Sequence, residues 1–335
     1  MTDIGILSTG MYVPETFMTA EEMAGLTNIS QEIIEEKLGI KQKPIPGEDD
    51  HTCYMGIQAA KKAISKAGLA PEQIDVVIYI GEEHKEYPVW TAAIKLQEEI
   101  GAVNAWAFDC SLRCSTTIMA LKLAKSLMAD DPTINTICLA GGYRNGDLIS
   151  YSNPRTRFMY NLAAGGGAII LQRGLGKNRL LSTTIKTDGA FSEDVIVPAG
   201  GTKCPASAKT LKEQLHYLDV PDPAGMKQRL EKKSMENFLY VIRKALSDSS
   251  YTEEDIDYLA VLHMKRSAHE HLLKELGLNH SQSIYLEEYG HIGQFDQILS
   301  IELALEENRI KEGDVVVMVS AGIGYAWSAS VIKWG

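Results

Sequence analysis

The feature that most constrains this chain is that it repeats itself. Lys62-Ala63-Ile64-Ser65 runs through Pro71-Glu72-Gln73 to Ile74-Asp75-Val76-Val77. Lys244-Ala245-Leu246-Ser247 runs through Glu253-Glu254-Asp255 to Ile256-Asp257-Tyr258-Leu259, at one constant offset. Each copy reads as a helix, an acidic loop and a short apolar strand. A second unit follows at a slightly smaller offset. Ala105-Trp106-Ala107-Phe108 is a predicted strand leading into a helix with Ile118, Leu121, Ala124 and Leu127 on one stripe. Ser283-Ile284-Tyr285-Leu286 leads in the same way into Phe295, Ile298, Ile301 and Ala304. The strands Thr136–Ala140 and Asp314–Val319 form a third pair. Alternating helices and apolar strands imply sheets covered by helices on both faces. The expected organisation is two α/β halves of similar topology, residues 1–175 and 176–335. Residues 188–225 lack a clean period and are rich in Pro, Gly and Lys, which predicts an insertion or linker that covers a site.

Charge and cysteine content narrow the function. The formal net charge of −11 argues against a nucleic-acid groove, which needs excess Lys and Arg. The start, Met1-Thr2-Asp3-Ile4, lacks a basic and apolar leader, and no apolar run has the length of a membrane span. Five cysteines at irregular spacings read as reduced thiols of a cytoplasmic protein.

Three residues occupy telling places in the duplicated frame. Cys114 lies in the loop-to-helix turn of the first half, after Phe108-Asp109. Counting from Phe108 and from Tyr285, its counterpart in the second half is His291. His263 closes the strand Leu259–Leu262. Strand ends in α/β sheets face the ligand crevice, so the three converge if the halves pack about a pseudo-twofold. A thiol attacks only as thiolate, and a helix N-terminus favours that anion and offers N–H groups to a thioester oxyanion. Two histidines beside it can donate to an enolate or move protons. The residues also admit plainer readings: a cysteine is ordinarily a small core residue, and a histidine at a strand end is ordinarily a hydrogen-bonded structural one. Cys110 and Cys114 lack the second ligand pair of a zinc site. Gly165-Gly166-Gly167 precedes a strand and opens no helix, so it is no dinucleotide fingerprint. Lys265, Arg266, His269 and His271 read as a solvated helix face.

Phe108-Asp109 with Cys114, Leu262-His263, Tyr289-Gly290-His291 and Gly322-Ile323-Gly324-Tyr325-Ala326-Trp327 together resemble 3-oxoacyl-(acyl-carrier-protein) synthase III, in order and spacing, over nearly the whole chain. The resemblance implies a thiolase-like fold, with duplicated α/β halves in a five-layer αβαβα arrangement, and a homodimer. It implies an acyltransferase of fatty-acid biosynthesis. Cys114 would take an acyl group from acyl-CoA, and decarboxylative Claisen condensation with malonyl-CoA or malonyl-acyl-carrier protein would follow. His263 matches the histidine that binds the malonyl thioester. His291 stands where the family usually has Asn, so the set is Cys-His-His. The backbone N–H groups of Cys114 and Ile323 match the oxyanion hole, while Arg155 and Lys37 match CoA-contacting positions. The adenine-stacking Trp is here Ile33, and the carrier-docking Arg is here Ala268. Neither metal nor cofactor is implied beyond the CoA thioester substrates. Glu83 falls where the related 3-hydroxy-3-methylglutaryl-CoA synthase has its general acid; its plain reading is a solvated acidic loop. The alternatives are a non-decarboxylating condensing enzyme or acyltransferase of that kind, and a catalytically silent thiolase-fold partner that binds acyl thioesters.

Overall fold

The computed structural model describes residues 3–335; the leaderless start read on Met1 and Thr2 lies outside them. The strands are β1 (Ile4–Tyr12), β2 (Phe17–Thr19), β3 (Gln42–Pro44), β4 (Val76–Tyr79), β5 (Trp106–Asp109), β6 (Thr136–Tyr143), β7 (Gly165–Arg173), β8 (Arg179–Thr187), β9 (Tyr258–Val261), β10 (Val315–Gly322) and β11 (Ala326–Lys333). The α-helices are α1 (Ala20–Leu26), α2 (Gln31–Ile33), α3 (Thr52–Ala67), α4 (Ala92–Ile100), α5 (Thr116–Asp130), α6 (Ala208–Lys212), α7 (Pro223–Asp248), α8 (Arg266–Glu275) and α9 (Asp296–Glu306). No helix among the described residues is long and apolar enough to cross a membrane.

Nine strands share one sheet in the order β5-β4-β6-β7-β1-β8-β11-β10-β9, and β2 pairs with β3 apart from it. β1 meets β8 through one residue pair, Gly5 with Arg179, so the sheet is two sheets touching at an edge. The duplication is visible in the ladder. β4 pairs parallel with β6, which pairs antiparallel with β7; β9 pairs parallel with β10, which pairs antiparallel with β11. The division at residues 175 and 176 falls in the turn between β7 and β8. The symmetry is incomplete at one edge. Ser283–Leu286, the counterpart of β5, forms no strand. Side chains take its pairing groups instead: Ser283 Oγ donates to the Leu259 carbonyl, and the Tyr258 hydroxyl accepts from the Ile284 N–H.

Alternating side chains build the layers. Val76, Ile78, Val316 and Met318 point inward to a core shared with Ile118, Leu121, Ile298 and Ile301 of α5 and α9. Val77 and Tyr79 point outward to α3 and α4. Val315, Val317 and Val319 point outward to α7 and α8. The order is therefore α3/α4, first sheet, α5/α9, second sheet, α7/α8, which is a five-layer αβαβα sandwich. Each fully buried aliphatic side chain in these layers contributes about 1.5–3 kcal/mol. The triple-glycine run lies inside β7. A Cβ on Gly166 would sit 2.4 Å from the Met55 carbonyl, so its absence lets α3 lie close on the sheet. The segment 188–225 is not wholly irregular: it carries α6 and the start of α7, whose first turn is capped by Asp222 accepting from the Gly225 N–H at 3.0 Å.

Candidate active site

Cys114 sits where the chain turns into α5. Arg113 takes the left-handed conformation at φ 50°, which brings Cys114 up against the second half. Thr116 Oγ1 accepts from the Leu112 N–H at 2.8 Å and donates to the Arg113 carbonyl at 2.5 Å, fastening the turn. Ser320 Oγ of β10 donates to the Cys114 carbonyl at 2.6 Å, and Ser115 Oγ donates to the Ala326 carbonyl at 3.1 Å. The Cys114 turn of one half is thus held by the strands of the other.

The second half brings an imidazole to this thiol. His291 follows Gly290, which is left-handed at φ 61°. Its Nε2 lies 3.1 Å from Cys114 Sγ, and its Nδ1 lies 2.5 Å from Asp296 Oδ2. Asp296 is fully buried and opens α9, where the helix N-terminus favours its charge. It also accepts from the backbone N–H groups of Ile292 and His263, each at 2.7 Å. Burial works against a charge on His291. The Asp296 carboxylate and then the Cys114 sulfur outweigh it and hold the imidazole well above its ordinary pKa. The arrangement has the geometry of a cysteine–histidine–aspartate relay, in which the imidazole can take the thiol proton and the carboxylate can orient the ring.

His263 lines the same cavity in another state. Its Nδ1 accepts from the Asn161 side-chain amide at 2.9 Å, and its Nε2–H donates to the Gly39 carbonyl at 3.0 Å. Burial pushes its pKa down to about 4, so it is neutral near pH 7. Asn161 is itself fixed twice. Its carbonyl accepts from the His291 N–H at 2.8 Å. The carbonyls on either side of it, Tyr160 and Leu162, accept from Lys43 Nζ at 2.7 and 2.6 Å. Lys43 is fully buried, which pushes its pKa down to about 7.

These groups open into a cavity of about 740 Å³. Its larger wall is apolar, built from Met226, Leu230, Met235 and Phe238 of α7 with Phe158 and Met159 opposite. Ile323 lines it at the β10–β11 turn, beside Cys114. Arg155 lines it too, with its guanidinium tied to Asp219 at 2.8 Å. Two expected contributors are elsewhere. Lys37 is exposed on a short π-helical turn, and its neighbour Leu38 faces the cavity instead. Glu83 is 65% exposed and pairs with Arg113 at 3.0 Å, whereas Glu82 is buried and lines the cavity. The loop after β4 turns one carboxylate in and the next out. His269 is not on a solvated face: it is buried edge-on against Tyr285, with its pKa pushed down to about 4 by burial. Nothing in the sequence marks Asn161 or Tyr143 as part of the site. For Asp296 there was a usable signal, an acid at the head of an apolar helical stripe five residues after His291. Among the described residues, no group of three or more His, Cys, Asp or Glu side chains is placed to hold a metal ion.

Comparison with known proteins gives one consistent result. The model of 3-oxoacyl-[acyl-carrier-protein] synthase III matches residues 108–189, and that of the C-terminal part of the same family matches residues 246–334, together about half of the chain. The beta-ketoacyl-[acyl-carrier-protein] synthase III of Symbiobacterium thermophilum is 29% identical over 333 residues, covering 99% of this chain and 98% of the relative. The enzyme of the same name from Caldanaerobacter subterraneus is 28% identical over 331 residues, covering 98% and 97%. The crystal structure of 3-oxoacyl-[acyl-carrier-protein] synthase III from Aquifex aeolicus superposes with a TM-score of 0.82 over the full length of both chains, at 23% identity.

Proposed function

Because the chain belongs to the 3-oxoacyl-[acyl-carrier-protein] synthase III family of acyl-transferring condensing enzymes, we propose that Cys114 accepts an acyl group from acyl-CoA and passes it to a malonyl thioester. The observation that carries this reading is the relay of Cys114, His291 and Asp296 at the N-terminus of α5. His291 takes the thiol proton, with Asp296 stabilising the imidazolium. The sulfur attacks the acyl-CoA carbonyl, and the backbone N–H groups of Cys114 and Ile323 are the donors for the oxyanion. The C–S bond to CoA breaks, and His291 returns the proton to the leaving CoA sulfur. A malonyl thioester then replaces CoA. Its C–C bond to the carboxylate breaks, CO₂ leaves, and the electron pair forms a bond to the acyl carbon. The C–S bond to Cys114 breaks and its thiolate returns. His263 is neutral with a proton on Nε2, the form suited to donate to the enolate oxygen once it exchanges the Gly39 carbonyl for the substrate. The chemistry draws on thioester substrates, carried by CoA or by an acyl-carrier protein.

Arg155 at the cavity rim suits a phosphorylated carrier, and the acyl carrier is CoA or an acyl-carrier protein. A homodimer is favoured by the free edge of β5, which ends the sheet and exposes half of Trp106. All five cysteines are free, which supports a reducing compartment such as the cytoplasm.

A second reading rests on His263. Both its ring nitrogens are engaged by Asn161 and Gly39, leaving His291 as the ring bonded to the sulfur. A neutral His291 after acylation is a base able to take a proton from a hydroxyl or amine acceptor, which is acyl transfer without decarboxylation. One experiment separates the readings. The protein is incubated with radiolabelled acyl-CoA, label on Cys114 is mapped, and CO₂ release is measured after malonyl-CoA or malonyl-acyl-carrier protein is added. Label lost in Cys114→Ala, with CO₂ release, is the expected result. Label without CO₂ favours transfer to another acceptor, and no label with any thioester removes both.

A further inference from the structure

The cavity changes chemistry along its length. Arg155 and Lys227 stand at solvent, with side chains 49% and 75% exposed, and the apolar face of α7 follows them. Glu82 and Tyr143, which line the same cavity as Cys114, are at most 3% exposed and form its buried part. A thioester whose carrier stays at the rim therefore points its acyl group at Glu82, Arg113, Tyr143 and Asn145. That surface is not made for an alkyl chain. The only side-chain partner of Glu82 among the described residues is Arg113, at a loose 3.4 Å and shared with Glu83. Asn145 Oδ1 is buried and accepts no hydrogen bond from the protein. A buried acceptor left unmet costs about 1–3 kcal/mol, so a pocket that keeps Asn145 Oδ1 unmet, beside a Glu82 carboxylate held by one loose contact, is matched to a group that donates. Asn145 Oδ1 is itself an uncharged acceptor, and this favours a neutral donor over an ionic one.

We infer that the acyl group loaded onto Cys114 carries a hydroxyl, which donates to Asn145 Oδ1 or to the Glu82 carboxylate. This rests on the acylation of Cys114 argued above. The step is the same transthioesterification: the thioester bond to CoA breaks, the bond to Cys114 forms, and CoA leaves with the thiol proton. The hydroxyl takes no part in the bond changes and acts through binding. A site built to bond a hydroxyl discriminates strongly against the analogue that lacks it, because its own polar groups are then stranded.

The test measures second-order rates of Cys114 acylation by intact-mass spectrometry, using butyryl-CoA, 3-hydroxybutyryl-CoA and 4-hydroxybutyryl-CoA. At least one hydroxylated thioester is expected to react about tenfold faster than butyryl-CoA or more. In Asn145→Leu or in Glu82→Met, each checked for folding by near-ultraviolet circular dichroism, that ratio is expected to fall towards one. If butyryl-CoA is as fast as both hydroxylated thioesters, the inference is overturned while acylation of Cys114 stands. A preference that survives in both variants also overturns it. No labelling by any of the three removes the inference and the acylation reading together.

Discussion

Asp296 decides what kind of base His291 is. The carboxylate holds the ring in one tautomer, with Nδ1–H towards itself and Nε2 towards the sulfur, and raises the pKa of the imidazole. Asp296→Asn keeps the size and removes the charge. The acylation rate is expected to drop by about ten-thousandfold, in line with loss of the orienting acid from a serine–histidine–aspartate relay. The limb of the pH–rate profile set by His291 is expected to move to lower pH, since the main cause of its raised pKa is gone. A rate within tenfold of the parent, with an unmoved profile, would show that Asp296 merely packs the base. Cys114, His263 and His291 were legible in the sequence because turns and strand ends mark them. Asn161 and Lys43 were not, because their roles exist only as distances across the fold. Glu83 and Glu82 show the limit of a one-dimensional reading: in a loop no period tells which of two adjacent carboxylates turns inward.

Among the elements, the turn into α5 carries the most constraint per residue. Gly322 of β10 presses against it, and a Cβ there would lie 2.9 Å from the Leu112 carbonyl oxygen and 3.0 Å from the Cys114 nitrogen. Both neighbours are backbone, so neither yields cheaply. Gly322→Ala is expected to destabilise the protein by about 1–3 kcal/mol, read by thermal unfolding, and to slow acylation by more than that loss of stability explains. Parental stability together with parental acylation would mean that the turn gives way freely. The long amphipathic helices and the buried strands followed their periods closely. The missing partner of β5 could not be foreseen: Ser283–Leu286 has strand composition, but Ser283 and the Tyr258 hydroxyl satisfy the groups that a ladder would have used. The onset of α7 was obscured because its early turns carry charged residues facing solvent and apolar ones facing the cavity.

For the whole molecule, the exposed end of the sheet matters most. Trp106 is half exposed on β5 and stacks on Phe108, while Ile94 of the adjoining α4 and Val103 are 58% and 69% exposed. An apolar sheet edge of this kind is a template for a second copy. The protein is expected to sediment as a dimer at micromolar concentration, and Trp106→Lys to shift it towards monomer; a parent that sediments as a monomer would rule the edge out as an interface. Within one chain, the two sheets touch at the single pair of Gly5 and Arg179, yet the Cys114 thiol comes from one half and the His291 ring against it from the other. The site therefore works as a two-key lock. A first half without the second would hold the Cys114 thiol with no imidazole beside it to take its proton.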